Sequence, residues 1–433
     1  MASTTASSAR RSAAHALDRL AFGPGPGEVE RVLDEGLPCW IDRQLAAEDP
    51  EDGLQPRLAQ CAAALFTISH VVYLTQTSGF ALSPSEAALT DMRSAKLIRA
   101  VHARNQLAEV LADFWYNHFN VYAYSWQPSV PAYEREAIRP HVLGRFRDLL
   151  GAVAAHPAML YYLDAYVSTV SRLVDGKLRL GFNENYGREL LELHTVGVDA
   201  GYTQADVVDA ARVFTGWGIE GLVYGEPATF QFCFRAARHD AAGKQVFGLK
   251  IPAGLGREEG ELLLDYLAAH PATALFVSRR LAERFVSDDP PPGLVRRCAS
   301  VFESSGGDIR AVLAELFSSD EFRSEAVFGT KAKTPFEFAV SAVRELGCEV
   351  RDAVSLAGVM ANMGMPLYGC KAPTGYSNRG CDWLNAASQV GKFDFAFQLA
   401  AGSVPGIESG AAARSGDAKA AGLRLAGPPF QWR

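Results

Sequence analysis

The chain has 433 residues, 48% hydrophobic and 21% charged, the balance of a folded globular protein and far from disordered or collagen-like extremes. Lys and Arg number 42 against 49 Asp and Glu, a formal charge of −7, so no broad basic surface exists for a phosphate backbone and no nucleic-acid partner is predicted. No uncharged apolar run is long enough for a membrane span, and residues 1–14 lead into His15, Asp18 and Arg19 rather than an apolar segment, which predicts a cytoplasmic protein without a secretory leader.

In chain order, residues 1–14 are expected as a disordered head and residues 15–401 as one helical domain. Helices are predicted near 12–21 and 27–46, and a long one from Lys96 to about Tyr122, where Leu107, Leu111, Phe114 and His118 share one face. More are predicted near 133–155, 158–173, 185–197, 203–217, 258–270, 272–287, 293–305, 308–318, 335–347, 353–363 and 383–401. Three starts carry capping signals: Ser83-Pro84-Ser85-Glu86, Thr334-Pro335-Phe336-Glu337, and Thr203 with Asp206. The fold class is therefore mostly α, a single large multi-helical domain. One stretch departs from helical period: Phe230-Gln231-Phe232-Cys233-Phe234 alternates with period two, and 246–251 is a second apolar segment. Together they predict a small β-hairpin or irregular flap near 229–251. Residues 402–427, rich in Gly, Ala and Ser, are expected as a flexible tract, with 428–433 as a C-terminal end segment. Seven scattered cysteines without a C-x-x-C pair predict neither a disulfide framework nor a zinc site.

The segment 183–197 is the most informative. Turned at about 100° per residue from Glu184, the residues Asn185, Arg188, Glu189, Glu192 and Thr195 fall within about 140°. The face holds three carboxylates and one arginine but no lysine, so it reads either as a solvated face or as a buried network or binding site. Glu192 and His194 diverge, and the Glu-x-x-His spacing of di-iron helices is absent, so no metal site is assigned. The next helix turns Asp209 and Arg212 away from its apolar side, and a tight turn at 199–202 predicts an antiparallel helical pair. His118 lies on an apolar stripe, the usual place of a core histidine. His239-Asp240, on a loop with Lys244, has room to titrate and to reach a ligand.

Taken together, Leu20-Ala21-Phe22-Gly23-Pro24, Phe114-Trp115-Tyr116-Asn117-His118-Phe119, the 183–197 segment, Gly201-Tyr202-Thr203, 211–217, His239-Asp240 with Lys244, and Pro373-Thr374-Gly375-Tyr376 resemble the bacterial family catalogued as domain of unknown function 1800. The resemblance covers nearly the whole chain and implies no particular reaction. Many such proteins look exported, whereas no leader is visible here, and Ser377 stands where relatives often have a second proline after Pro-x-Gly-Tyr. By the same resemblance, 402–427 looks like a variable insert ahead of the usual ending.

Three functional readings follow. The first is a hydrolytic enzyme using Glu184 or Glu189 with His118, His239 and Asp240 for acid–base chemistry. In it, Asn185, Arg188, Glu192, Arg212 and Lys244 bind a carbohydrate or other polar substrate. The second is a non-catalytic helical module with a buried ion-pair network that binds a protein partner. The third is a metal-dependent redox enzyme drawing ligands from Glu189, Glu192, His118 and His239. No cofactor is identified, and the partner is a small molecule, a glycan or a protein. The basic loop at Arg235, Arg238, His239 and Lys244 is expected to fold over Glu184, Glu189 and Glu192.

Overall fold

Apolar residues at helical spacing dominate the chain, and the architecture follows them. The computed structural model describes residues 2–51, 53–77, 84–123, 127–174, 177–179, 181–222, 229–410 and 417–433. It is mostly α, and its described strands form small two-stranded antiparallel pairs. One contiguous apolar core runs from Ala13 to Ala426 and takes in the fully buried Trp115, Phe146 and Trp217. Two of the three capping signals form complete capping boxes, Thr334 with Glu337 and Thr203 with Asp206. The third rests on Ser83, which lies outside the described residues. No helix among the described residues is long and apolar enough to cross a membrane.

Several predicted helices are interrupted, each for a physical reason. The one expected over 96–122 is two helices, Pro84–His102 and Gln106–His118. Gln106 donates to the terminal carbonyls of Ala100 and Ala103, while the Glu51 carboxylate accepts from the backbone N–H groups of Arg104 and Asn105 at 3.0 and 2.9 Å. Side chains thus satisfy the backbone groups that a break exposes. The 27–46 prediction splits at Gly36 into Glu28–Glu35 and Leu37–Ala46. Over 133–155, a π-turn at Glu134–Ile138 and a 3-10 turn at Arg139–His141 precede the helix Phe146–Ala155, since Pro140 has no N–H to continue the ladder. The 158–173 prediction shortens to Pro157–Tyr162, because Asp164 turns to positive φ, and Arg172–Val174 pairs instead as a strand with Lys177–Arg179.

The hairpin expected near 229–251 is two hairpins. Phe232–Phe234 pairs with Trp217–Ile219, which was expected to end a helix, and Lys244–Val246 pairs with Leu249–Ile251. The second is closed by Phe247 and Gly248, both at positive φ, the type I′ arrangement that suits strand twist. The ends differ as well. The first helix, Ala2–Leu20, covers the head expected to be disordered. Within the tract expected to be flexible, Ile407–Glu408 pairs with Glu349–Val350, and the helix Ala418–Ala426, capped by Asp417, packs on Ala386–Ala400 with Leu425 fully buried.

The predicted helical pair is present as Asn185–Glu189, continued by a π-turn at Leu190–His194, against Gln204–Val213. Gly187 sets the approach: a Cβ there would lie 2.7 Å from Ala211 N and 2.9 Å from Val207 O, both backbone atoms that cannot swing aside. Gly187→Ala should therefore destabilise the protein by about 1–3 kcal/mol through overpacking. Urea denaturation checks this, and an unchanged midpoint would contradict the packing described.

Candidate functional site

The polar face of 183–197 is neither fully buried nor freely solvated. Arg188 reaches Glu184 at 3.1 Å, Glu192 at 3.3 Å and Gln204 at 3.0 Å, and its side chain is 35% exposed. Asn185 is exposed, and its backbone N–H donates to Asn183 Oδ1 at 2.9 Å. Glu189 is half-buried; burial first, and then the Glu192 charge, raise its carboxyl above the usual range. The Tyr202 hydroxyl bonds Glu192 and is pushed up to about 12 by burial and that carboxylate.

The His239 loop does not draw its counter-charge from this face. Its carboxylate is Glu259, a residue that sequence reasoning missed, on the helix Glu258–Ala269. His239 Nε2 lies 3.2 Å from Glu259 Oε1, and Lys244 Nζ lies 2.5 Å from Oε2, with the Lys244 and Glu259 side chains at 0% exposure. His239 Nδ1 faces the carbonyl of Thr215 at 2.8 Å. Arg212 bridges Asp209 at 2.7 Å and Asp240 at 2.8 Å. Of the basic residues expected over Glu184, Glu189 and Glu192, His239 and Lys244 thus pair with Glu259 instead, and Arg235 and Arg238 donate to the carbonyls of Ile219 and Val167, each at 2.8 Å. His118 is a core histidine: 4% exposed, Nε2 at 3.2 Å from the His194 carbonyl, and held well below its ordinary pKa by burial and by Arg280. The expected metal ligands do not assemble. Among the described residues no three His, Cys, Asp or Glu side chains cluster as a metal site.

What the fold does bring together are two sequence motifs, 114–120 and 373–376. Asn117 donates through Nδ2 to the Tyr376 carbonyl at 2.7 Å and accepts from the Tyr376 N–H at 2.6 Å. Asn120 donates to the carbonyls of Cys370 and Ala372 at 3.0 and 2.8 Å. Gly375, at φ +70°, passes so close that a Cβ would fall 2.2 Å from the Asn117 carbonyl oxygen. Downstream, Trp383 Nε1 donates to the Ser377 carbonyl, and Lys331 ties the Asn378 carbonyl to Asp288.

This 373–379 loop is a wall between two spaces. Behind it lies a small cavity of about 40 Å³, lined among others by Lys96, Asp113, Arg284, Glu337 and Arg433. In front lies an open groove of about 640 Å³ with Arg279, Arg280, Glu283 and Arg379 on its sides, and Tyr376, Ser377 and Asn378 border both. Within the cavity Lys96 meets Asp113 at 2.8 Å and Glu134 at 3.6 Å. Burial opposes its charge, but the two carboxylates outweigh burial and raise its pKa. Glu337 Oε1 takes Arg284 and Arg433, each at 3.0 Å. Arg284 Nη1 is left over, buried without a hydrogen-bond partner among the described residues, while Arg433 Nε has its ion-pair contact with Glu337 alone.

The chain matches the family described as Protein of unknown function (DUF1800) over residues 15–430. It belongs to the DUF1800 family. No curated protein and no solved structure matches it. In this DUF1800 protein the asparagines beside His118, rather than His118 itself, connect the helical body to the loop at the cavity. The available signal was the Pro-x-Gly-Tyr motif, whose glycine and backbone make the contacts, while sequence reasoning sought titratable side chains.

Two groups here set an acid limit on stability. Burial would raise the Glu337 carboxyl, but Arg433 and Arg284 outweigh it and bring it to about 2, so its contribution is present above its ordinary value and is lost as pH falls toward 2. His194, pushed down to about 3 by burial, must charge in the unfolded chain first, so stability also falls as pH drops from about 6.5 to 3. Glu337→Gln should cost about 3–5 kcal/mol at neutral pH, because two buried guanidinium groups lose their carboxylate. It should also flatten the part of the stability profile below pH 4.5. Denaturation at a series of pH values measures both effects, and a loss below 1 kcal/mol would show the pair to be unimportant.

Proposed function

We propose that this DUF1800 protein holds the anionic group of a small, polyhydroxylated molecule in the cavity behind the 373–379 loop, with the rest of the molecule in the outer groove. The observation that carries this is the spare Nη1 of Arg284, a buried guanidinium donor on the cavity wall whose Nη2 is already paired with Glu337. An unmet buried donor is costly, and a carboxylate or phosphate oxygen is its natural complement. The inner space holds about three waters, the size of such a head group. The groove, with arginine, carboxylate, amide and hydroxyl groups, suits a hydroxyl-rich body.

Thermal unfolding with gluconate or glucose 6-phosphate, against neutral glucose and sorbitol, tests this. The anions alone should raise Tm, by the equivalent of about 2.7 kcal/mol at a hundredfold excess over Kd. Arg284→Lys, which keeps a charge for Glu337 but removes the spare donor, should abolish the rise. No shift with any anion would sink the proposal.

A second reading, hydrolysis on the 183–197 face, draws on a different observation: two neighbouring carboxylates in unequal surroundings. Glu189 has a raised pKa, while Glu192 is bonded by Arg188 and Tyr202. In this reading Glu189 donates the proton and Glu192 acts as base. Activity against chromogenic glycosides and esters should then fall as pH rises through the Glu189 pKa, and Glu189→Gln should remove that limb together with most of kcat. Turnover of none of these substrates, or full activity in the variant, would reject it.

A further inference from the structure

We infer that a second, independent site, between the helix Pro84–His102 and the turn Ala62–Leu65, binds an amphiphile carrying a single negative charge, with Arg99 as the anchor for the acid group. The pocket has a volume of about 230 Å³, and Leu58, Leu65, Met92, Ala95 and Pro131 give it an apolar lining. Leu65 sits at the rim, 65% exposed. The concave apolar lining is what suits the site to an apolar ligand body, with Leu65 extending it at the rim.

The charged groups in this pocket decide what the other end of the ligand must be. Arg139 is taken: it donates to both oxygens of Glu109, at 2.9 and 2.7 Å, and to Glu134 Oε1 at 2.8 Å. The remaining oxygen of Glu134 accepts from the Tyr368 hydroxyl at 2.7 Å. Arg135 is taken too, by the carbonyls of Ala64 and Phe66 and by Glu136, and so it pins the turn that forms the rim. Of the three arginines, Arg99 alone has a side chain that makes no hydrogen bond or ion pair among the described residues, although it is partly buried and borders both this pocket and the adjoining groove that Glu109 and Arg139 line. Burial, and then the Arg139 charge, lower its pKa and outweigh Glu109 and Glu134, with neither of which it forms an ion pair. Five planar N–H donors at one end of an apolar pocket match a carboxylate on an aliphatic chain.

Isothermal titration with octanoate tests the site, with 1-octanol and acetate as controls. Octanoate should bind, and acetate and 1-octanol should each bind at least about tenfold more weakly, the worth of one charge-assisted hydrogen bond or of the buried chain. Arg99→Gln should weaken octanoate by at least about tenfold. Because Arg99 holds no partner, its replacement should leave Tm unchanged. Leu65→Asp, at an exposed position where folding is insensitive, should also weaken octanoate by removing rim contact and adding a like charge, and it serves as the decisive variant if Arg99→Gln fails to fold. Absence of octanoate binding, equal affinity for 1-octanol, or undiminished affinity in the folded variants would overturn the inference. Neither the gluconate result nor the Arg284 variant bears on this outcome.

Discussion

One carboxylate, Glu337, does two jobs on which the arrangement behind the 373–379 loop depends. Through Oε2 it accepts from the Thr334 N–H at 2.9 Å and completes the capping box that starts the helix Pro335–Glu345. Through Oε1 it gathers Arg284, at the end of the helix Pro271–Phe285, and Arg433. Burying a carboxylate is unfavourable unless charge and hydrogen bonds compensate, and here both are supplied. The ionised form is held so firmly that this group is a fixed anion at any ordinary pH. A fixed anion positions cations and does not exchange protons, so the cavity it borders is suited to recognition more than to acid–base work.

The rest of the polar interior follows the same rule of local compensation. Lys96 has Asp113 and Glu134, Lys244 has Glu259, and Arg212 has Asp209 and Asp240. Each set ties together elements that are distant in sequence. Against this background the spare Nη1 of Arg284 and the Arg99 side chain are two cavity-lining places where, among the described residues, the fold leaves bonding capacity unused.

How much of this was readable beforehand depended on range. Capping at Thr334 and Thr203 is encoded within four residues, and the sequence displays it. The break between Pro84–His102 and Gln106–His118 was hidden because Glu51 supplies the cap from another part of the chain. Period-two alternation at Phe230–Phe234 marked a strand but not its partner, since register is fixed by the facing strand. The counter-charge of His239 is hidden for a related reason: the densest acidic face in the sequence is Glu184, Glu189 and Glu192, whereas Glu259, a single buried carboxylate, is the one within reach. The burial of His118 follows from its apolar stripe, a local property, whereas the catalytic role also considered for it depends on neighbours that the stripe does not specify.

The 114–120 motif shows why a polar family signature need not be catalytic. Four consecutive side chains in it each turn a polar tip to a main-chain carbonyl: Trp115 to Val142, Tyr116 to Val121, Asn117 to Tyr376 and His118 to His194, at 2.7–3.2 Å. Two of these carbonyls lie where helices end, Val142 after the 3-10 turn Arg139–His141 and His194 at the close of a π-turn, and the other two lie in non-helical segments. Interrupted helices and the loops between them leave carbonyls without intrahelical donors, and inside a core, away from water, those carbonyls require other partners. Aromatic residues with polar tips meet both demands, filling volume while donating one hydrogen bond. A fold built from many broken helices therefore needs such a cluster for its own integrity. The chemistry open to a ligand must be sought in groups that this backbone accounting leaves unused.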